Sequence, residues 1–130
     1  MTALMTRTQL CRLSLAICLA AFLSCGAASA KVMLVPKWSQ FERSFKSSID
    51  YQYPLQQCTL RVSFVSPGGE TNTVFGFWDG NKTWRVRFSP DQPGRWTYHT
   101  SCSDFANRNL DDQTGEFLCT SIVGQSSFAQ

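Results

Sequence analysis

Short runs in which apolar and polar residues alternate constrain this chain more than any other feature of its sequence. In Cys58–Val65, every second residue from Cys58 to Phe64 is apolar, and the residues between them are Thr, Arg and Ser. A period of two is that of a β-strand with one buried face, because successive side chains point to opposite faces. Thr83–Phe88 repeats the pattern, and no long stretch has helical periodicity. The sequence therefore predicts an all-β fold.

Turn residues separate the alternating runs and set the expected strand count. Asp79-Gly80 lies between Thr73–Trp78 and Thr83–Phe88, and both residues tolerate the positive φ of a type I′ hairpin turn. The other candidate strands are Trp38–Phe45, Arg95–Cys102 and Gly115–Val123, with Ile49–Leu55 and Ser103–Gln113 as loops. About seven short strands in roughly 100 residues are typical of an immunoglobulin-like antiparallel β-sandwich. A small closed barrel is the architectural alternative.

The first 30 residues have a different character. Met1–Ala30 has two arginines and no acidic residue, then an apolar run over Leu13–Leu23, and it ends in Ala-Ser-Ala. This order predicts a secretory signal peptide, and the run is about half of the ~20 residues that span a bilayer. We expect a secreted or periplasmic protein that does not span the membrane, with a β-sandwich over residues 31–123 and a frayed tail or linker over residues 124–130. Lipoprotein anchoring at Cys25 is the alternative.

The expected export bears on the state of the cysteines, since an exported chain meets an oxidising compartment in which disulfides persist. The segment after the leader keeps Cys58, Cys102 and Cys119, which allow one bridge and one leftover thiol. If Gly94–Cys102 and Gly115–Val123 pair as a hairpin, a Cys102–Cys119 bridge closes a loop of about 16 residues. We predict that bridge, with a Cys58–Cys102 bridge between sheets as the rival.

Charge and motif content argue against most kinds of chemistry. From Lys31 onward the chain has ten Lys or Arg and nine Asp or Glu, so it lacks the basic excess of a nucleic-acid-binding domain. His99 is the only histidine, which disfavours a metal site and a Ser-His-Asp centre. The aspartates fall in turns, and Glu42 is expected to pair with an arginine such as Arg87. We predict no cofactor and no catalytic residue.

Tryptophans are more numerous than a small core needs. Trp84 and Trp96 alternate in phase with other apolar residues and are expected in the core. Trp78 precedes the Asp79-Gly80 turn and is out of phase with Phe75 and Phe77, which makes it the expected exposed aromatic. Trp78 and Asp79 are therefore the candidate carbohydrate contacts.

Four motifs, in this order and spacing, resemble a known family: Phe64–Gly69, Gly76–Gly80, Trp84–Pro90 and Pro93–Tyr98. The chain is similar, from about Trp38 to Ile122, to the N-terminal immunoglobulin-like domain of unknown function that precedes the catalytic barrel in bacterial proteins assigned to the glycoside hydrolases. Some members are labelled collagen-binding. The family's Thr-Gly-x-Phe strand matches Thr114–Phe117.

The resemblance implies context rather than chemistry. The family's catalytic carboxylates belong to the barrel, so no catalytic residue transfers to this chain, and we expect a non-catalytic accessory β-sandwich. Its expected partners are a polysaccharide or a glycosidase catalytic domain. The alternative is a free-standing carbohydrate-binding or protein-adhesion module. Cysteines at the places of Cys102 and Cys119 recur in some family members, which favours the bridge between them.

Overall fold

The computed structural model describes residues 30–121, which form two β-sheets and one short helix. Of the predicted signal peptide Met1–Ala30, only Ala30 is among the described residues. The predicted tail over residues 124–130 lies outside them. The elements in chain order are β1 (Met33–Pro36), β2 (Phe41–Lys46), α1 (Pro54–Gln57), β3 (Leu60–Val65), β4 (Thr71–Phe75), β5 (Phe77–Trp78), β6 (Thr83–Phe88), β7 (Gly94–Cys102) and β8 (Thr114–Thr120). One sheet has the order β1-β8-β7-β3-β4, and the other has the order β2-β6-β5.

Strand pairing is antiparallel in both sheets except at one edge, where β1 runs parallel to β8. The hairpin predicted at Asp79-Gly80 is present as β5 and β6. Its positive φ angles fall at Gly80 (91°) and Asn81 (48°), one residue later than expected. The predicted all-β sandwich is confirmed, with eight described strands where about seven were expected.

One predicted strand, Thr73–Trp78, is divided between the two sheets. β4 pairs with β3 and β5 pairs with β6, and Gly76 lies between them. A Cβ on Gly76 would lie 2.6 Å from Leu60 Cδ2, so only glycine lets the backbone pass this close to the core. The chain crosses from one sheet to the other at this residue.

Aromatic rings from both sheets fill the space between them. Phe64 of β3 stacks on Phe88 of β6 at 4.2 Å between ring centroids, and it meets Phe41 of β2 edge-on at 5.7 Å. Such ring pairs stabilise the core beyond the contribution of the area that the rings bury. Trp84 and Trp96 are 2% and 0% exposed, which confirms the prediction that both are core residues.

Two elements were not predicted. The sequence predicts a loop around Pro54 because proline disfavours helix before it, yet Pro54 begins α1, where its missing N–H costs nothing. Met33–Pro36 precedes Trp38, where the first predicted strand begins. It forms β1 only because β8 is beside it to pair with.

Candidate functional site

An open groove of about 310 Å³ lies where α1 approaches the edge strand β5, and it is the candidate site. Its lining residues are uncharged and mix apolar rings with amides: Gln52, Tyr53, Pro54, Leu55, Gln56 and Trp78. Tyr53 and Leu55 are 55% and 72% exposed, which is high for residues of this size. A surface of this kind, apolar with a few amides, suits a neutral polar ligand that has an apolar face.

Helix α1 presents one wall of the groove. The backbone N–H of Tyr53 donates to Gln57 Oε1 at 2.8 Å, and the N–H of Cys58 donates to the carbonyl of Pro54 at 3.0 Å. These two bonds close a single helical turn and leave the side chains of Tyr53 and Leu55 facing solvent. The wall is therefore held by local bonds rather than by burial.

Trp78 forms the opposite wall and is held in one orientation. Its indole Nε1 donates to the carbonyl of Asn81 at 2.8 Å, and its backbone is opposite Trp84 in the register of β5 and β6. Trp78 is 36% exposed. A fixed ring loses little conformational entropy when a ligand covers it, which favours binding.

Asp79, the second candidate carbohydrate contact, does not line this groove. Its carboxylate forms an ion pair with Arg85 Nε. Arg85 is opposite Phe77 in the register, one position away from the Trp78–Trp84 pair, so its side chain belongs to the other face of the sheet. The structure thus places Trp78 and Asp79 in two different environments.

A charged cluster covers the outer face of the β2-β6-β5 sheet. Glu42 Oε2 accepts from Arg87 Nε at 2.7 Å, which confirms the expected ion pair, and Glu42 Oε1 accepts from Arg85 Nη1 at 2.8 Å. Arg87 also lies over the ring of Phe77, 5.0 Å from its centroid. The hydrogen bond from Arg87, and then that from Arg85, holds the pKa of the Glu42 carboxyl below its ordinary value. These ion pairs balance the charges of the cluster and link β2 to β6 across the outer face of the sheet.

The other titratable side chains considered above, His99 and the turn aspartates, pair with neighbouring side chains or with backbone N–H groups of the loops. His99 is exposed on β7, where its Nε2 lies 2.8 Å from Asp112 Oδ1. Asp104 Oδ1 accepts from the N–H of Ala106 at 3.0 Å, as expected of a turn aspartate.

Within residues 30–121, no three His, Cys, Asp or Glu side chains gather as a metal site. Over the same residues, no helix is long and apolar enough to cross a bilayer.

A buried polar network fastens the loop before α1. Asn107 is fully buried, and its Nδ2 donates to Ser47 Oγ at 2.7 Å and to the Tyr51 hydroxyl at 3.0 Å. Its Oδ1 accepts from the N–H and hydroxyl of Ser48. The Tyr51 hydroxyl donates to Asp104 Oδ2 at 2.8 Å, and burial raises its pKa above the ordinary value. The loop that carries the groove is therefore tied to the β7–β8 connection.

The strand register excludes the predicted Cys102–Cys119 bridge. β7 and β8 do pair, but Cys119 is opposite Gly94, at the start of β7, whereas Cys102 is at its end. Eight residues of extended strand separate those positions by about 26 Å, and a disulfide needs Cα atoms within about 7 Å. The prediction placed both cysteines at the same end of the hairpin, but β7 and β8 are antiparallel, so the end of β8 with Cys119 lies beside the start of β7. Cys102 has Cys58 beside it instead, with 3.1 Å between the Sγ atoms.

Sequence reasoning missed Tyr53 and Leu55 of the groove and the exposed Trp38. Trp38 is 61% exposed, more than Trp78, at a φ of 65° beside Lys37. An available signal was Pro54 itself: large apolar residues on both sides of a proline, outside any alternating run, have no strand to bury them.

Comparisons with known proteins agree with this architecture. The model of the family described as "Domain of unknown function (DUF5060)" matches residues 34–103. No curated protein matches the chain. The crystal structure of a protein from Bacteroides vulgatus ATCC 8482, described as a "putative glycoside hydrolase", is 34% identical in sequence. That alignment covers 72% of this chain and 17% of that protein, with a TM-score of 0.60. The family match spans more than half of the chain, so the chain belongs to the DUF5060 family of domains of unknown function.

Proposed function

We propose that this chain is a non-catalytic accessory domain of a glycoside hydrolase. The observation that carries the proposal is its similarity to the Bacteroides protein, 34% identity over 72% of this chain, in which it matches only 17% of the length. A domain that is a small part of a large hydrolase serves the remainder by packing against it or by bringing substrate to it.

The role in substrate contact rests on the groove between Tyr53 and Trp78. Sugar rings have an apolar face that stacks on a flat aromatic ring, and their hydroxyls bond to amides. Trp78 supplies the fixed ring, and Gln52 and Gln56 supply the amides at one open site. Because the lining residues are all uncharged and the groove is open, it suits a neutral polymer rather than an acidic one.

Affinity electrophoresis in polysaccharide gels tests this role. We expect soluble xylan or galactomannan to retard the chain, polygalacturonate to leave its mobility unchanged, and Trp78→Ala to remove the retardation. Trp38→Ala is the matched control, because Trp38 is also exposed but lies near Pro90, beyond the far end of β6. Absence of retardation by every neutral polymer, or retardation that survives Trp78→Ala, would refute substrate contact at the groove.

Association with a catalytic domain is tested separately, by sequencing the gene beyond the codon for Gln130. A reading frame that continues into a catalytic barrel supports the accessory role. A stop codon with no barrel gene nearby contradicts it and favours a free-standing carbohydrate-binding or protein-adhesion module.

We further propose that the protein is exported, because Met1–Ala30 has the order of a signal peptide. N-terminal sequencing of the protein from its source cells tests this. A mature chain beginning at Lys31 supports cleavage after Ala30, a lipid-modified Cys25 at the N-terminus supports anchoring, and an intact Met1 contradicts both.

A further inference from the structure

The cysteine positions carry an inference that is independent of the groove. Cys58 and Cys102 are 3% and 1% exposed, and their sulfur atoms are in contact at 3.1 Å. A disulfide bond has an S–S length of about 2.05 Å. The two sulfurs therefore need to approach by about 1 Å, which small side-chain rotations supply.

Pairing between the chain at Thr59–Leu60 and the end of β7 holds the two cysteines near each other. Leu60 is opposite Cys102 in the register of β3 and β7. One step further, the N–H of Ser103 donates to the carbonyl of Thr59 at 3.0 Å, and Ser103 Oγ accepts from the N–H of Thr59 at 2.9 Å. Cys58 directly precedes Thr59 and lies diagonally across from Cys102, so the pairing beside it brings the two side chains close together.

We propose that Cys58 and Cys102 form a disulfide bond in an oxidising compartment and that Cys119 keeps its thiol. The oxidant is a small-molecule or protein disulfide. A thiolate of one cysteine attacks it to give a mixed disulfide, and the second cysteine then displaces the other thiol. Cys58 and Cys102 together lose two electrons and two protons, and the oxidant leaves as two thiols.

Burial determines when the bond forms. It raises the pKa of the Cys58 thiol to about 12, which leaves little Cys58 thiolate in the folded reduced domain. It also shields both sulfur atoms from an oxidant, since Cys58 and Cys102 are 3% and 1% exposed. Oxidation must therefore occur before β3 and β7 close over the pair, or during local opening. The same burial shields the completed bond from reductants.

Cys119 is an internal control for this pairing. It is 2% exposed near the opposite end of β7, where it faces Gly94. Burial also raises the pKa of its thiol. It therefore resembles Cys58 in environment and differs in having no cysteine beside it among the described residues.

Peptide mapping tests the proposal, because trypsin separates Cys58, Cys102 and Cys119 from one another and from Cys11, Cys18 and Cys25, which fall in Thr8–Arg12 and Leu13–Lys31. Cleavage after lysine and arginine gives Ser47–Arg61 with Cys58, Trp96–Arg108 with Cys102, and Asn109–Gln130 with Cys119. The full chain would be produced in a bacterial host with an oxidising cytoplasm, denatured and alkylated without reduction, and then digested. Because the cytoplasm of this host is itself oxidising, protein recovered from whole cells can form the bond whether or not it is exported.

We expect Ser47–Arg61 linked to Trp96–Arg108, with loss of alkylation at Cys58 and Cys102 and full alkylation at Cys119. Reduction should release the two peptides, and Cys119→Ser should leave the linked peptide in place. Full alkylation of all three cysteines without reduction would overturn the proposal. Recovery of Asn109–Gln130 linked to either other peptide would do the same.

Discussion

The ring of Tyr98 lies directly against the backbone of Gly115, its cross-strand partner on β8. A Cβ on Gly115 would overlap the ring, approaching Tyr98 Cε1 to 2.7 Å as well as the end of the ring. Tyr98 is itself packed among core rings, 5.8 Å from Phe41 and from Phe64 between centroids, so it has no room to move aside. The glycine of the Thr-Gly-x-Phe strand is therefore required by packing.

Gly115→Ala is expected to lower the free energy of unfolding by about 1–3 kcal/mol, the usual cost of forcing extra volume into a packed core. Chemical denaturation measures it. Gly68→Ala is the matched control, because its Cβ would meet its nearest neighbour, Gln92 Oε1, at an ordinary 3.4 Å. Equal stability of the Gly115 variant and the wild type would show that the Tyr98 contact is not tight.

Asn107→Ala should destabilise the domain by about 2–4 kcal/mol, because it leaves Ser47, Ser48 and Tyr51 without their buried partner. Asn109→Ala changes an exposed asparagine of the same loop and should have little effect. Thermal unfolding of both variants makes the comparison. Similar melting temperatures for the two would contradict a stabilising role of the network.

The ion pairs of Glu42 predict a loss of stability in acid. The folded pKa lies below the ordinary value of 4.5, so the carboxylate stabilises the fold fully above about pH 4.5. That contribution is lost as the pH falls through the folded pKa. Glu42→Gln should therefore be less stable than wild type at pH 7, and the difference should shrink towards pH 3.

Urea unfolding at pH 7 and pH 3 makes the Glu42 measurement. Glu70→Gln, in the exposed turn between β3 and β4, is the control and should match wild type at pH 7. A gap between wild type and Glu42→Gln that is equally large at both pH values would assign the effect of the substitution to packing instead of charge.

Reduction of the proposed Cys58–Cys102 bond should lower the free energy of unfolding by about 4 kcal/mol, because the bond restricts a loop of about 45 residues in the unfolded chain. Guanidinium unfolding with and without reductant gives this difference. The difference should persist in Cys119→Ser and vanish in the double variant Cys58→Ala/Cys102→Ala. A reductant effect that persists in the double variant would assign it to other groups.

Local patterns were sufficient to predict most of the strands. Alternation in Cys58–Val65 and Thr83–Phe88 identified the faces that became core, and Asp79-Gly80 identified the hairpin between β5 and β6. The ion pair of Glu42 with Arg87 was also predictable, since opposite charges on polar strand faces are natural partners. Each of these inferences depends on neighbours along the chain or on one strand pair.

The groove was only partly predictable. Trp78 is exposed as expected, but Phe75, from which its phase differs, is more exposed still, so the phase was not a sound reason. Asp79, next to Trp78, pairs with Arg85 on the other face. Tyr53 joins Trp78 although 25 positions separate them in the chain. Their proximity depends on where α1 packs, which no local pattern encodes.

The division between strand identity and strand placement has one physical cause. Alternation is a property of a single strand, so the residues of β3, β6 and β7 specify which side is buried wherever those strands lie. Register and sheet membership depend on contacts between distant residues. Gly76 moves the chain from one sheet to the other because Leu60 lies beneath it, and the pairing of β7 with β8 separates Cys119 from Cys102. The amino-acid pattern thus determined a chain of short amphipathic strands, and the tertiary packing alone decided which cysteines and which aromatic rings became neighbours.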